Sequence, residues 1–388
     1  MSTSPLTRVA LLGCGQIADA HLQEIRKLRS VDLVAVCDVY PDLAWQAAAR
    51  FNVPARYSDL RTMITEAQPN VVHITTPAHT HASLAEQVLE LGCHVYIEKP
   101  MTLDAAEADR VVRAAERHGR KLCLGHDQLF DPMWLELRRR VDSGEIGPVR
   151  HVESVLGYPI SGAFGTQVTG DRNHWVHRLP GGLFQNTISH PLYRITDFLL
   201  DEHPEVHARW TRTDRFSFPT ELFVTLRGKE VTGTLTFLST IAHQRVTRVY
   251  GTKGYLEVDL DAQTIRRVGP PRLPGAFGKL DAPFRSWREA ARNFRRNLWR
   301  FAAADIHYFA GMRTLFERFY AAIQEGTPLP IEPAEMLRVT RLMDEIFEQC
   351  RREEFAGEQE GGTEEPHPET INLAASRQRS GLPVASVP

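Results

Sequence analysis

An apolar run, Val9-Ala10-Leu11-Leu12, breaks into Gly13-Cys14-Gly15-Gln16-Ile17-Ala18, and a second apolar run ends at Asp38. No other feature constrains the fold of this chain as tightly. The order reads as strand, glycine turn, helix and a second strand capped by an acid. A first glycine allows the tight turn and a second lets backbone approach a pyrophosphate. The third position needs only a small side chain, which Ala18 supplies. Gly13, Gly15, Gln16 and Ile17 are therefore candidates to hold phosphates, at the positive end of the helix that follows. Asp38 lies 20 residues after Ala18, where a carboxylate accepts hydrogen bonds from a ribose 2′-hydroxyl. It would repel a 2′-phosphate, so the turn favours NAD over NADP.

Strands and helices keep alternating beyond this unit. Val71–Thr75, His94–Ile97 and Lys121–Leu124 read as short strands, separated by helical patterns over Ala82–Leu91 and Asp104–His118. Such alternation predicts a doubly wound parallel sheet, an α/β Rossmann domain over residues 1–130, with its crevice at the carboxyl ends of the strands. Asp38, Thr76, Lys99 and His126 all fall at such ends. After a helix over Pro132–Val141 the texture changes. Glu221–Leu226, Val231–Leu238, Arg245–Tyr250, Gly254–Leu260 and Thr264–Val268 are consecutive strand-like runs with short polar turns. They predict an α+β domain with an open, mostly antiparallel sheet over residues 131–332. The helical pattern over 333–353 is expected to pack back on the first domain, and 356–388 reads as a disordered tail rich in Gly, Pro, Glu and Ser.

Composition excludes several classes. A net charge of −2 provides no bulk field for nucleic acid. The apolar runs are far shorter than a membrane span, and Met1–Thr7 lacks the apolar stretch of a signal peptide, which points to a cytoplasmic protein. The five cysteines are scattered with no C-x-x-C pair, and His79 and His81 lack a third ligand nearby, so no metal site is expected. Lysine is scarce, six against 40 arginines, which singles out Lys99 at a strand end.

These residues resemble the Gfo/Idh/MocA family of NAD(P)-dependent oxidoreductases. The likeness rests on the glycine turn, Thr76-Pro77-Ala78-His79-Thr80-His81, Glu98-Lys99-Pro100, Ser143-Gly144-Glu145-Ile146-Gly147, Gly181-Gly182 with His190, and Gly251-Thr252-Lys253-Gly254-Tyr255-Leu256. The resemblance implies oxidation or reduction of a hydroxyl-bearing carbon on a sugar, sugar derivative or cyclitol, and a homo-oligomer, dimer or tetramer, formed through the second-domain sheet. It adds Thr76, Pro77, His81, Glu98 and Lys99 to the cofactor-binding candidates and places Lys99 beside nicotinamide and substrate. Pro100 is a candidate for a cis turn.

The family's second active-site stretch corresponds to Gly181–His190. An Asp four positions before the His is usual there; this chain has Asn186. Asn186 can orient a hydroxyl but cannot exchange a proton, so acid–base work falls on Lys99 and His190. If the segment is one helix, both side chains share a face, although Pro191 disturbs that geometry. His126 and the stretch with Arg172, His174 and Trp175 are substrate-binding candidates. Two rival functions stay open: an NAD-dependent glycoside hydrolase or lyase using transient oxidation and elimination, and a non-catalytic NAD-binding protein. Separately, Trp287, Ala291, Phe294, Leu298 and Phe301 recur at helical spacing over 285–301 among arginines on other faces. This stripe is expected to pack on the second domain or a neighbouring subunit, with a phosphate contact or a membrane surface as alternatives.

Overall fold

The computed structural model describes residues 6–171, 174–213, 216 and 218–361. Six parallel strands form the first sheet: β1 (Thr7–Leu12), β2 (Val31–Cys37), β3 (Ala55–Tyr57), β4 (Val71–Ile74), β5 (His94–Ile97) and β6 (Leu122–Leu124). Their order is β3-β2-β1-β4-β5-β6. The order reverses between β1 and β4, which opens a crevice at their carboxyl ends. Val9–Leu11, Val71, Val72, Val95 and Ile97 are wholly buried, as expected of strands covered by helices on both faces.

The second sheet has seven strands: β7 (Val149–Gly157), β8 (Glu205–Thr211), β9 (Glu221–Arg227), β10 (Thr232–Leu238), β11 (Gln244–Gly251), β12 (Gly254–Asp259) and β13 (Thr264–Val268). The order is β13-β12-β11-β7-β10-β9-β8. All pairings are antiparallel except β7 with β10. Both architectures agree with the sequence reading.

The chain path departs from that reading in three places. Helix 312–325, assigned by sequence to the second domain, instead buries Met312, Leu315, Phe316 and Phe319 in the core of the first. The helix starting at Pro333 straddles the units: Met336 joins the first core, while Val339, Leu342 and Ile346 join the second. It also runs on to Gly361, into the stretch read as tail. An established helix extends through Gly357 without a new nucleus, and Glu358, Gln359 and Glu360 are adequate helix formers beyond it. Residues 362–388 lie outside the described residues.

The third departure concerns helix Gly275–Ala302. Its stripe does not pack on the second domain. Trp287 is 65% exposed and Phe294 70%. The helix meets the sheet through polar side chains: Asn293 donates to the Ile265 carbonyl at 2.9 Å and Asn297 to Ala262 at 2.9 Å. These bonds fix the opposite face inward and turn the aromatics out.

Candidate active site

A cleft of about 630 Å³ lies where the carboxyl ends of β1, β4 and β5 face the second sheet. The first unit lines it with Gly15, Gln16, Ile17, Thr76, Pro77 and Lys99; the second contributes His174, Asn186, His190 and Arg245. Residues far apart in sequence thus meet at one opening.

The glycine turn fits a dinucleotide. Gly13 has φ +102°, and a Cβ there would sit 2.7 Å from Thr76 Cγ2, so only glycine suits the turn. At Gly15 an added Cβ would meet no atom within 4 Å. The room it leaves is part of the cleft, at the entry to helix Ala18–Ile25. Asp38 ends β2 with its Oδ2 accepting the Cys14 N–H at 2.7 Å and its Oδ1 accepting the Tyr40 N–H at 2.9 Å. The carboxylate is thereby fixed to the turn itself.

Lys99 leaves β5 through a cis bond to Pro100. Its Nζ donates to the Asn186 main-chain carbonyl at 3.1 Å, joining the two units across the cleft. Asn186 and His190 both line the cleft, but not on one helix. Helix Gly182–Gln185 ends, and a second helix starts at Ser189. Pro191 is the third residue of that second helix, where a missing N–H costs no intrahelical bond, so it begins a helix rather than kinking one. Gly181 lies against the Phe347 ring, which an added Cβ would meet at 2.3 Å.

His190 Nδ1 is paired with the Tyr193 hydroxyl at 2.7 Å. Burial first, then the Lys99, Arg194 and Arg245 charges, hold its imidazole well below the usual histidine range. It is therefore neutral near pH 7 and able to accept a proton.

Several candidates hold positions other than those expected. His126 is only 1% exposed and does not line the cleft. Its ring packs on Tyr193, with centroids 4.3 Å apart, and burial pushes its pKa down to about 3. A short strand exit turns this side chain inward and the next one outward. That next residue, Asp127, lines the cleft. Burial, with the Glu98 charge, pushes its carboxyl up to about 7. Its place at the end of β6 was the available signal. Arg245 was also missed; its guanidinium lies 3.9 Å over the Tyr308 ring, held by Asp261 at 2.6 Å.

Glu98 and His81 touch the cleft, but their polar atoms serve the protein. Glu98 Oε1 pairs with His21 Nε2 at 2.9 Å, and its Oε2 accepts the Lys99 N–H at 3.2 Å. Burial raises the Glu98 pKa, yet the His21 bond and the Lys99 charge outweigh it and leave the carboxyl below its usual range. The pair continues inward from His21 to His73 at 3.0 Å and on to Tyr320 at 2.7 Å. His81 faces the Thr76 and Pro100 carbonyls at 2.8 and 2.9 Å, bracing the loop around Lys99. His174 lines the cleft. Arg172 and the Trp175 side chain lie outside the described residues. Among the described residues no group of three or more His, Cys, Asp or Glu could hold a metal.

Residues 7–126 match the family model described as an oxidoreductase family with an NAD-binding Rossmann fold, and residues 134–257 match the Gfo/Idh/MocA C-terminal domain. The chain belongs to the Gfo/Idh/MocA oxidoreductase family. This Gfo/Idh/MocA chain is 32% identical over 143 residues to an inositol 2-dehydrogenase of Salmonella typhimurium, covering 36% of this chain and 43% of that protein. It is 29% identical over 197 residues to an inositol 2-dehydrogenase of Rhizobium meliloti, covering 51% and 56%. The chain thus matches about half the length of these curated relatives. The crystal structure of the WlbA dehydrogenase from Bordetella pertussis, in complex with NADH and UDP-GlcNAcA, superposes with a TM-score of 0.73 at 19% identity. That match covers 91% of this chain and 98% of WlbA, so the fold is common to both.

Proposed function

We propose that this Gfo/Idh/MocA protein is an NAD-dependent oxidoreductase acting on a carbinol carbon of a sugar, sugar derivative or cyclitol. One observation carries the reading. Lys99 bridges to Asn186 in the same cleft that opens onto the glycine turn. The curated relatives named as inositol 2-dehydrogenases support a polyhydroxylated ring as substrate.

Gly13, Gly15, Gln16 and Ile17 would hold the NAD phosphates, and Asp38 the adenosine ribose, which disfavours a 2′-phosphate there. When bound, NAD supplies the hydride acceptor. The chain's own residues handle the proton. Lys99 takes it from the substrate hydroxyl, which arginine in its place would not do. His190, neutral at working pH, is the second acceptor in the relay. Asn186 orients a hydroxyl through its amide, and His174, which also lines the cleft, contacts the ring. Asp127, able to hold a proton near neutrality, exchanges it onward. Fixed placement of these groups supplies much of the rate, because hydride transfer needs the two carbons in near contact.

The test is a screen of cyclitols, sugars and nucleotide sugars with NAD, following NADH absorbance and product mass together. NADH formed in step with a product lighter by two hydrogens supports the reading. Product without net NADH would assign the redox-neutral elimination instead. Tight NAD binding without turnover of any ring substrate would favour the non-catalytic alternative.

A further inference from the structure

Helix Gly275–Ala302 carries its apolar side outward, the reverse of an ordinary surface helix. Phe277, Leu280, Phe284, Trp287, Phe294 and Leu298 are between 54% and 70% exposed. At 100° per residue they fall on one arc, roughly opposite the arc holding Glu289, Asn293, Arg296 and Arg300. That second arc is bonded to the body: Glu289 accepts the Arg267 N–H at 2.6 Å, and Arg296 donates to the Gln263 carbonyl at 2.9 Å. The polar bonds lock the orientation, so no face among the described residues covers the apolar arc. At 28 residues the helix presents a strip about 42 Å long.

The strip is strongly basic. Residues 275–302 hold seven basic side chains against Asp281 and Glu289, in a protein whose net charge is only −2. Beside it runs a groove of about 240 Å³ lined by seven arginines and three glutamates. The glutamates are already engaged: Glu136 with Arg139 at 2.7 Å, and Glu145 and Glu289 with Arg140 at 2.7 and 2.8 Å. The guanidinium groups of Arg272, Arg288 and Arg292 have no carboxylate partner among the described residues, and all three residues are exposed. Arg288 and Arg292 belong to both features, flanking the apolar arc and lining the groove.

We propose that this strip and its arginine groove dock the protein on an anionic lipid surface, with the aromatic side chains entering the interface and the groove taking lipid phosphates. Charge decides between occupants. A second copy of the same helix would set seven basic side chains against seven, which opposes pairing. An anionic bilayer offers what both halves of the surface lack: an apolar layer for the aromatics, with phosphates at the level of the arginines. The helix would lie on the membrane and not span it; no helix among the described residues is long and apolar enough to cross one.

Flotation of the full-length protein with vesicles tests this. Vesicles of phosphatidylcholine alone should retain little protein, and vesicles containing phosphatidylglycerol should retain most of it at low salt. Raising the salt should weaken retention by screening. Trp287→Glu with Phe294→Glu should abolish binding. Arg288→Glu with Arg292→Glu should weaken it about tenfold or more, because each basic residue near an anionic surface contributes about fivefold. Arg288→Lys with Arg292→Lys keeps the charge and should keep binding, which separates charge from misfolding. Equal retention on both vesicle types, or none on either, overturns the proposal. So does an oligomer in sedimentation velocity that Trp287→Glu splits while vesicle binding is absent, since that assigns the strip to a second copy.

Discussion

At the residue scale, burial acts on His190 and Asp127, two titratable groups of the cleft, in opposite directions. It lowers His190 and raises Asp127 to about 7, so near pH 7 the imidazole is neutral and the carboxyl is poised between its two forms. For Asp127 the native state holds a proton that the unfolded chain releases between its ordinary value of 3.8 and about 7. Its contribution to stability is therefore lost as pH rises through that window. Asp127→Asn should gain more in Tm relative to wild type at pH 8 than at pH 5. The limb of the kcat/KM profile near pH 7 should also disappear. An equal Tm difference at both pH values would place the wild-type carboxylate in water. Asn186→Asp adds a charge next to the neutral imidazole and should pull the His190 pKa back up. Oxidation should slow at neutral pH and recover on the alkaline side, with kcat and KM followed separately. An unchanged profile would mean that the two side chains do not share a ligand.

At the scale of elements, Gly181 shows how a motif glycine can serve packing. The Phe347 ring of the helix starting at Pro333 occupies the space where a Cβ would go. Gly181→Ala should cost about 1–3 kcal/mol by overpacking. In a Phe347→Ala background most of that cost should vanish, and a denaturant-melt double-mutant cycle measures it. A full cost in both backgrounds would point to backbone strain instead. Alternating strands and helices revealed the parallel sheet because β1, β4 and β5 are buried apolar runs bounded by breakers, Gly13 after β1, Pro69 and Pro77 around β4 and Gly92 before β5. β3 escaped because Ala55-Arg56-Tyr57 has no apolar run, unlike the equally short Leu122-Cys123-Leu124. β7 and β8 escaped because their outward faces carry His151, Glu153, His207 and Arg209, which dilute the apolar pattern. Helix 312–325 looked like part of the second unit because it follows it in sequence, and only tertiary packing returns it to the first core.

At the scale of the whole molecule, the site was legible wherever a residue type had a backbone reason to be where it is. Gly13, Asp38 and Lys99 end strands, and the parallel sheet gathers strand ends at one opening. Asn186 and His190 were legible through the family motif, but the helix break between them was not. His126 and Asp127 were misassigned by one residue, since sequence cannot say which side chain turns inward after a three-residue strand. Arg245 comes from a strand of the other sheet, and no local pattern marks it. The outward aromatic strip was visible as a periodicity, but only the bonds from Asn293 and Asn297 to the sheet show which way it faces. The central claim is that Lys99 carries the substrate proton and is not merely a positive charge in the cleft. Steady-state turnover of Lys99→Arg at saturating NAD, on a substrate found by the screen, tests it most directly, with NAD affinity measured alongside. The account predicts a loss in kcat of about 10²–10⁴-fold with NAD affinity nearly intact. Turnover at the wild-type rate would contradict it.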